Sequence, residues 1–310
     1  MQPSTQTPRA LALAGLALTA ALVAGCGASG SGGSAAGKIV AVGAESQYAN
    51  VIAQIGGSQV AVSAVESNPN TDPHSFEASP SVVQTVEGAQ LVVQNGAGYD
   101  TYMNKIESAT EGHPRQVIDV QKLLGLPESL PNPHLWYKPT TMPALAAALA
   151  DALSRLQPAH AAYFRANAVR FDASLQPWLA AIARFRARYP GTPVATTEPV
   201  SDYMLEAAGT QNETPFALQA DIMNGIDPAP QSVSLQNGLF SAHRVKVLLY
   251  NQQVADPLTQ SFIEAAKSGG VPVVGVYETL PTGYDYQSWM LAEMAALERA
   301  LAERISTQRL

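Results

Sequence analysis

The feature that most constrains this chain is a rhythm of short apolar runs separated by helical patterns. "KIVAVG" (38–43), "VAVSAV" (60–65), "QLVVQNG" (90–96) and "RQVIDV" (115–120) have the length and β-branched content of buried strands. "ESQYANVIAQIGG" lies between the first two and reads as a helix stopped by Gly56-Gly57, while "SPSVVQTVEGA" begins like a capped helix. Strands alternating with helices imply βαβ units and parallel sheets. The rhythm pauses from Met142 to about Tyr189, where nearly everything is helical, with Pro158 suiting a first turn and Pro177 expected to kink the second helix. It resumes with strands at "PVATT" (193–197), "VKVLLYN" (245–251) and "VPVVGVY" (271–277), and closes on the helix "YDYQSWMLAEMAALERALAERI". The expected fold class is α/β: two lobes with mostly parallel sheets, 38–157 and 190–310, joined by a long rigid helix at 158–189.

The first 37 residues read differently. Arg9 precedes an apolar stretch at 10–25 that is short of the ~20 residues a spanning helix needs. This is the pattern of a secretory signal, 1–25. "LVAGC" then has the form of a lipobox, with Cys26 as the lipidated residue, and the Gly/Ser-rich segment through Gly37 reads as a flexible tether. Cys26 is the single cysteine, so the folded body has neither a disulfide nor a thiolate ligand. A formal net charge of −7 argues against a nucleic-acid partner, which asks for a basic face.

Open α/β sheets bind ligands beyond the carboxyl ends of their strands. Four candidates stand there: His74 and His134 in the first half, Glu198 directly after "PVATT" and Glu278 directly after "VPVVGVY". Both histidines follow a proline, Pro73 or Pro133, which fixes the preceding φ and removes freedom that binding would otherwise have to freeze. Each residue alone also has an ordinary reading: surface histidine, helix-start acid, exposed loop acid. Asp285 competes with Glu278 but looks more like the N-cap of the last helix. His113, His160 and His243 read as surface or packing residues.

Taken together, these segments resemble the metal-binding receptors of bacterial ABC importers for manganese and zinc, some of which were first described as surface adhesins. "DPHSFEASPS" matches that family's first Pro-His motif and "NPHLWYKP" its second. "TTEPVSDYMLEAAG" resembles its third-ligand segment, and "VPVVGVYET" falls where its last carboxylate sits. The resemblance implies a metal site in the cleft between lobes, ligated by His74, His134, Glu198 and Glu278, with Asp285 the lesser alternative for the fourth. It implies an extracytoplasmic, lipid-anchored, monomeric receptor, without catalysis, that delivers zinc or manganese, ahead of iron, to a permease with its ATPase. Two departures stand out: Asn132 replaces the usual Asp before the second Pro-His, and Lys138 adds a cation. Both are expected to weaken binding or reorient His134. Two imidazoles with two carboxylates suit zinc, or manganese if the carboxylates bind bidentately. Because histidines must lose a proton to bind, affinity is expected to fall as pH drops through about 6 to 7. The competing readings are an adhesin or structural lipoprotein with a vestigial site, and a zinc-dependent hydrolase. The hydrolase reading lacks a His-Glu-x-x-His helix.

Overall fold

The computed structural model describes residues 37–310. The signal segment, Cys26 and nearly all of the tether lie outside them.

Two parallel sheets organise the described residues. The first contains β1 (Ile39–Glu45), β2 (Val60–Glu66), β3 (Leu91–Gln94) and β4 (Gln116–Asp119), in the order β2-β1-β3-β4. The second contains β5 (Pro193–Thr196), β6 (Gln211–Asn212), β7 (Leu248–Asn251) and β8 (Val273–Val276), in the equivalent order β6-β5-β7-β8. Strand order reverses between β1 and β3, and again between β5 and β7. Such switch points open a crevice at the carboxyl ends of the strands. The two-residue strand β6 was not expected from the sequence, because Gln211 and Asn212 carry no apolar signal.

Period-two alternation sorts the strand residues between cores. Ile39, Ala41, Leu91 and Val93 point into a central core, and Val42, Ala44 and Val92 into a smaller one beneath α2 (Pro80–Glu87) and α3 (Thr101–Ala109). In the second sheet Val247, Leu249, Val274 and Val276 join the same central core, while Leu248, Tyr250 and Val273 face the opposite side. One continuous core therefore serves the inner faces of both sheets. It is filled by Trp136, Trp178, Tyr286 and Trp289, all buried.

The helical middle consists of α5 (Thr141–Leu156), α6 (Ala161–Ser174) and α7 (Gln176–Arg188). The single kinked helix expected over 158–189 is thus two helices meeting at Leu175, preceded by a 3-10 turn that Pro158 opens. Pro177 lies in the first turn of α7, where its missing N–H costs nothing, so the chain restarts a helix instead of bending one. The closing helix α12 (Tyr286–Glu303) starts as anticipated at Asp285. Its Oδ1 accepts from the Ser288 N–H at 2.8 Å, and the Ser288 hydroxyl accepts from the Asp285 N–H at 3.1 Å. Among the described residues, no helix is long and apolar enough to cross a membrane.

Candidate metal centre

Backbone placement comes first. β2 runs out into a loop whose 3-10 turn, Pro73–Ser75, carries His74, and the Asp72 side chain caps that turn by accepting from the His74 N–H at 2.9 Å. His134 stands at the start of a second 3-10 turn, Leu135–Tyr137. The Pro133 carbonyl before it accepts from Asn95 at 2.9 Å, and Asn95 accepts from the Tyr48 hydroxyl at 2.6 Å, so the loop is pinned to the end of β3. Glu198 lies two residues past β5, and Glu278 two residues past β8. Equivalent positions in the second half thus provide both acids.

Three of the four side chains converge. The Nε2 atoms of His74 and His134 lie 3.3 and 3.2 Å from the same oxygen, Oε2 of Glu278. Ligand atoms of these three residues all lie within 4.8 Å of one another, in a geometry able to hold a metal ion. Glu198 does not complete that group in this structure. Its carboxyl is buried nearby, and neither oxygen has a hydrogen-bond partner. The Asn251 amide that partly lowers its pKa is committed to Oε1 of Glu278. Asp285 serves as helix cap on the exposed surface. His113 pairs with Glu87 at 3.0 Å on the surface.

The shell around these groups bears on the expectation for Asn132 and Lys138. Oδ1 of Asn132 accepts from both the backbone N–H (3.0 Å) and the Nδ1–H (2.8 Å) of His134. An amide oxygen can only accept, so this contact fixes the tautomer with Nδ1 protonated and turns the Nε2 lone pair toward the site. The Asn132 amide donates to the Pro199 carbonyl at 2.8 Å, joining the His134 loop to the segment that carries Glu198. An aspartate could make the first contact but not the second. The Lys138 Nζ sits 5.2 Å over the Tyr203 ring.

Several neighbours carried no signal in the sequence reading. The Tyr99 hydroxyl donates to Oε2 of Glu278 at 2.9 Å. Oε1 of Gln253 accepts from the Glu278 and Thr279 N–H groups, at 2.7 and 2.9 Å, and its Nε2 reaches the Thr71 carbonyl at 2.7 Å. Asn251 ends β7 and Gln253 follows it, so attention to every strand end, not only to His and Glu, would have found both. Tyr99, Trp136 and the two histidine rings pack edge-to-face, with centroids 5.0 to 5.8 Å apart.

Electrostatics follow from burial. Burial opposes a charge on His74, but the Glu278 carboxylate overcomes it and lifts the ring to about 9. His134 is pushed down, first by burial and then by the charge on His74, so it is neutral. Burial alone would raise Glu278, yet the His74 cation beside it holds it below the usual carboxylate range. Glu198 is pushed well up by burial and then by the Glu278 charge. At neutral pH the pocket therefore pairs a His74 cation with a Glu278 anion. The His134 lone pair meets a carboxylate oxygen with no hydrogen between them, a repulsion that a cation placed there would relieve.

Comparison with known proteins bears on the fold and the family. The manganese-binding lipoprotein MntA of Bacillus subtilis is 27% identical over 158 residues, 49% of this chain, and the chain spans about half (51%) of that relative's length. The iron-binding protein YfeA of Yersinia pestis is 23% identical over 230 residues, 71% of this chain and 72% of that protein. Among solved structures, the periplasmic zinc-binding protein TroA of Treponema pallidum superposes with a TM-score of 0.74 at 18% identity, over 86% of this chain and all (100%) of that one, which establishes the shared fold. The family model described as "Zinc-uptake complex component A periplasmic" matches residues 42–300, nearly the whole described body, and the chain belongs to that family.

Proposed function

We propose that the protein is the extracytoplasmic receptor of an ABC importer, capturing one divalent transition metal between its lobes for delivery to a membrane permease and its ATPase. The observation that carries this reading is the meeting of two histidine Nε2 atoms on a single Glu278 oxygen inside a buried pocket. His74, His134 and Glu278 would be the preformed ligands. Glu198, buried without a hydrogen-bond partner, would turn its carboxylate onto the ion as the fourth. Two ionised glutamates then neutralise a divalent charge, and the protons on His74 and Glu198 are displaced. Four protein donors leave no open position for water or substrate, which favours capture over hydrolysis. The donor set is compatible with zinc or manganese.

In the same reading 38–157 and 190–310 are the two lobes, 158–189 is the stiff connection, and Cys26 carries a lipid that keeps a monomeric receptor at the outer side of the cytoplasmic membrane. Calorimetric titration of the wild type and of Glu278→Ala with zinc and manganese tests the reading. The wild type should bind one ion, and the variant should lose most of that affinity. An unchanged variant would remove Glu278 from the site.

A further inference from the structure

Behind the metal-facing groups, one buried carboxyl touches two of the segments that carry ligands. Glu293, on α12, is 1% exposed. Its Oε1 accepts from the Trp289 indole N–H at 2.6 Å and from the Tyr277 backbone N–H at 3.2 Å. Its Oε1 and Oε2 lie 2.8 and 2.7 Å from the Tyr137 hydroxyl, which is also 2.7 Å from the Tyr277 carbonyl. Tyr137 closes the turn that begins at His134, and Tyr277 is the residue before Glu278.

Counting hydrogens decides the state of this carboxyl. Tyr137 has one hydrogen to give, and the Tyr277 carbonyl can only accept. If Glu293 were ionised, two of the three short oxygen–oxygen contacts around Tyr137 would have no hydrogen in them, in a dry interior where such defects cost most. A proton on Oε2 gives every group a partner and leaves only the 2.8 Å approach of Oε1 to the Tyr137 oxygen without a hydrogen. Oε2–H donates to Tyr137, Tyr137 donates to the Tyr277 carbonyl, and Oε1 accepts from Trp289 and from the Tyr277 N–H.

We infer that Glu293 is a neutral carboxylic acid and a positioning residue, whose hydrogen bonds set the His134 turn against the strand end that bears Glu278. The inference rests on the receptor reading above for its functional consequence. The surroundings agree with a neutral group. The titratable side chains coupled to it are Tyr137 from the turn, Tyr277 beyond β8 and Tyr286 on α12, and no cation is among the influences on it. Burial lifts Glu293 to about 8, with its contacts to Tyr137, Trp289 and Tyr277 lowering it only part of the way.

Infrared titration of the mature chain tests the protonation state. The wild-type-minus-Glu293→Gln difference should contain a carboxylic-acid carbonyl band at pH 7 that disappears as the pH passes about 8. Zinc titration tests the positioning role. Glu293→Gln, whose amide N–H replaces the acid's donor, should bind within about twofold of wild type. Glu293→Leu should bind about tenfold more weakly. Leu239→Ala, in the separate core of the second sheet, should lower the unfolding temperature without changing zinc affinity. No acid band at pH 7 would overturn the neutral state, and Glu293→Leu binding zinc like wild type would overturn the positioning role. A wild type that binds neither zinc nor manganese would instead be a failure of the receptor reading, and the infrared band does not depend on metal.

Discussion

His134 gives its Nδ1–H to the side-chain oxygen of Asn132 across 2.8 Å, and this one contact determines which ring nitrogen faces the metal pocket. A buried imidazole without such a partner would have both tautomers open to it. With the partner, Nε2 is presented as a lone pair 3.2 Å from Glu278.

The Asn132 contact leads to the first prediction. Asn132→Leu removes the acceptor and the amide link to Pro199, so metal affinity should fall about 10- to 100-fold. Asn132→Asp keeps the acceptor but loses the donor to the Pro199 carbonyl. It should retain affinity while lowering the stability of the metal-free protein by about 1–3 kcal/mol. Competition against a chromophoric chelator, paired with denaturant unfolding, separates the two effects.

Glu198 should show function and stability in opposition. A carboxyl raised well above its ordinary 4.5 favours its protonated form in the fold, so the stability it contributes is full below that value and lost as pH rises toward its folded pKa. Glu198→Gln should therefore stabilise the metal-free protein at pH 7 relative to wild type, by on the order of 1 kcal/mol, and weaken metal binding. Thermal unfolding with and without metal checks both signs. A variant less stable than wild type without metal would contradict the assigned protonation.

The pH window for binding lies higher than unperturbed histidines would place it. His74 is lifted to about 9, so at pH 7 the metal competes with a proton on the ring and affinity should decline from about pH 9 downward. With Glu198 also protonated, binding near neutrality should release about one to two protons per ion. Calorimetry in buffers of different ionisation enthalpy counts them. Without metal the sign reverses. The His74–Glu278 pair stabilises fully below the unfolded histidine value of 6.5 and is lost as pH rises through about 9, a loss that His74→Ala should abolish.

Much of this centre was legible in the chain because its two halves repeat one rule. Glu198 and Glu278 stand at equivalent places after buried strands, and each histidine follows a proline in a polar loop. Asp285 was legible as a cap because a capping box is a local contact. Tyr99, Gln253 and Glu293 were not, since each acts on a residue at least fifteen positions away through hydrogen bonds that only the folded arrangement defines. The contacts of Asn132 were not legible for a related reason. Its identity suggested lost acidity, whereas its acceptor is retained and its added donor finds a partner 67 residues away. The break at Leu175 escaped because Pro177 fits both a kink and a fresh first turn.

Rigidity of the connection gives a further expectation. α5 to α7 pack into the same core as both sheets, so metal binding should tilt the lobes only slightly. X-ray scattering should show nearly superimposable curves with and without metal. A large compaction would mean a hinge that this packing does not contain.

The central claim is that His74, His134, Glu198 and Glu278 clamp one divalent ion. Elemental mass spectrometry tests it most directly, on protein expressed from Gly27 onward, stripped, exposed to equal zinc, manganese and iron, and desalted. One ion per chain, lost in His134→Ala and Glu278→Ala, is the predicted result, and its identity names the cargo. No retained metal in the wild type, or full retention in both variants, would contradict the account.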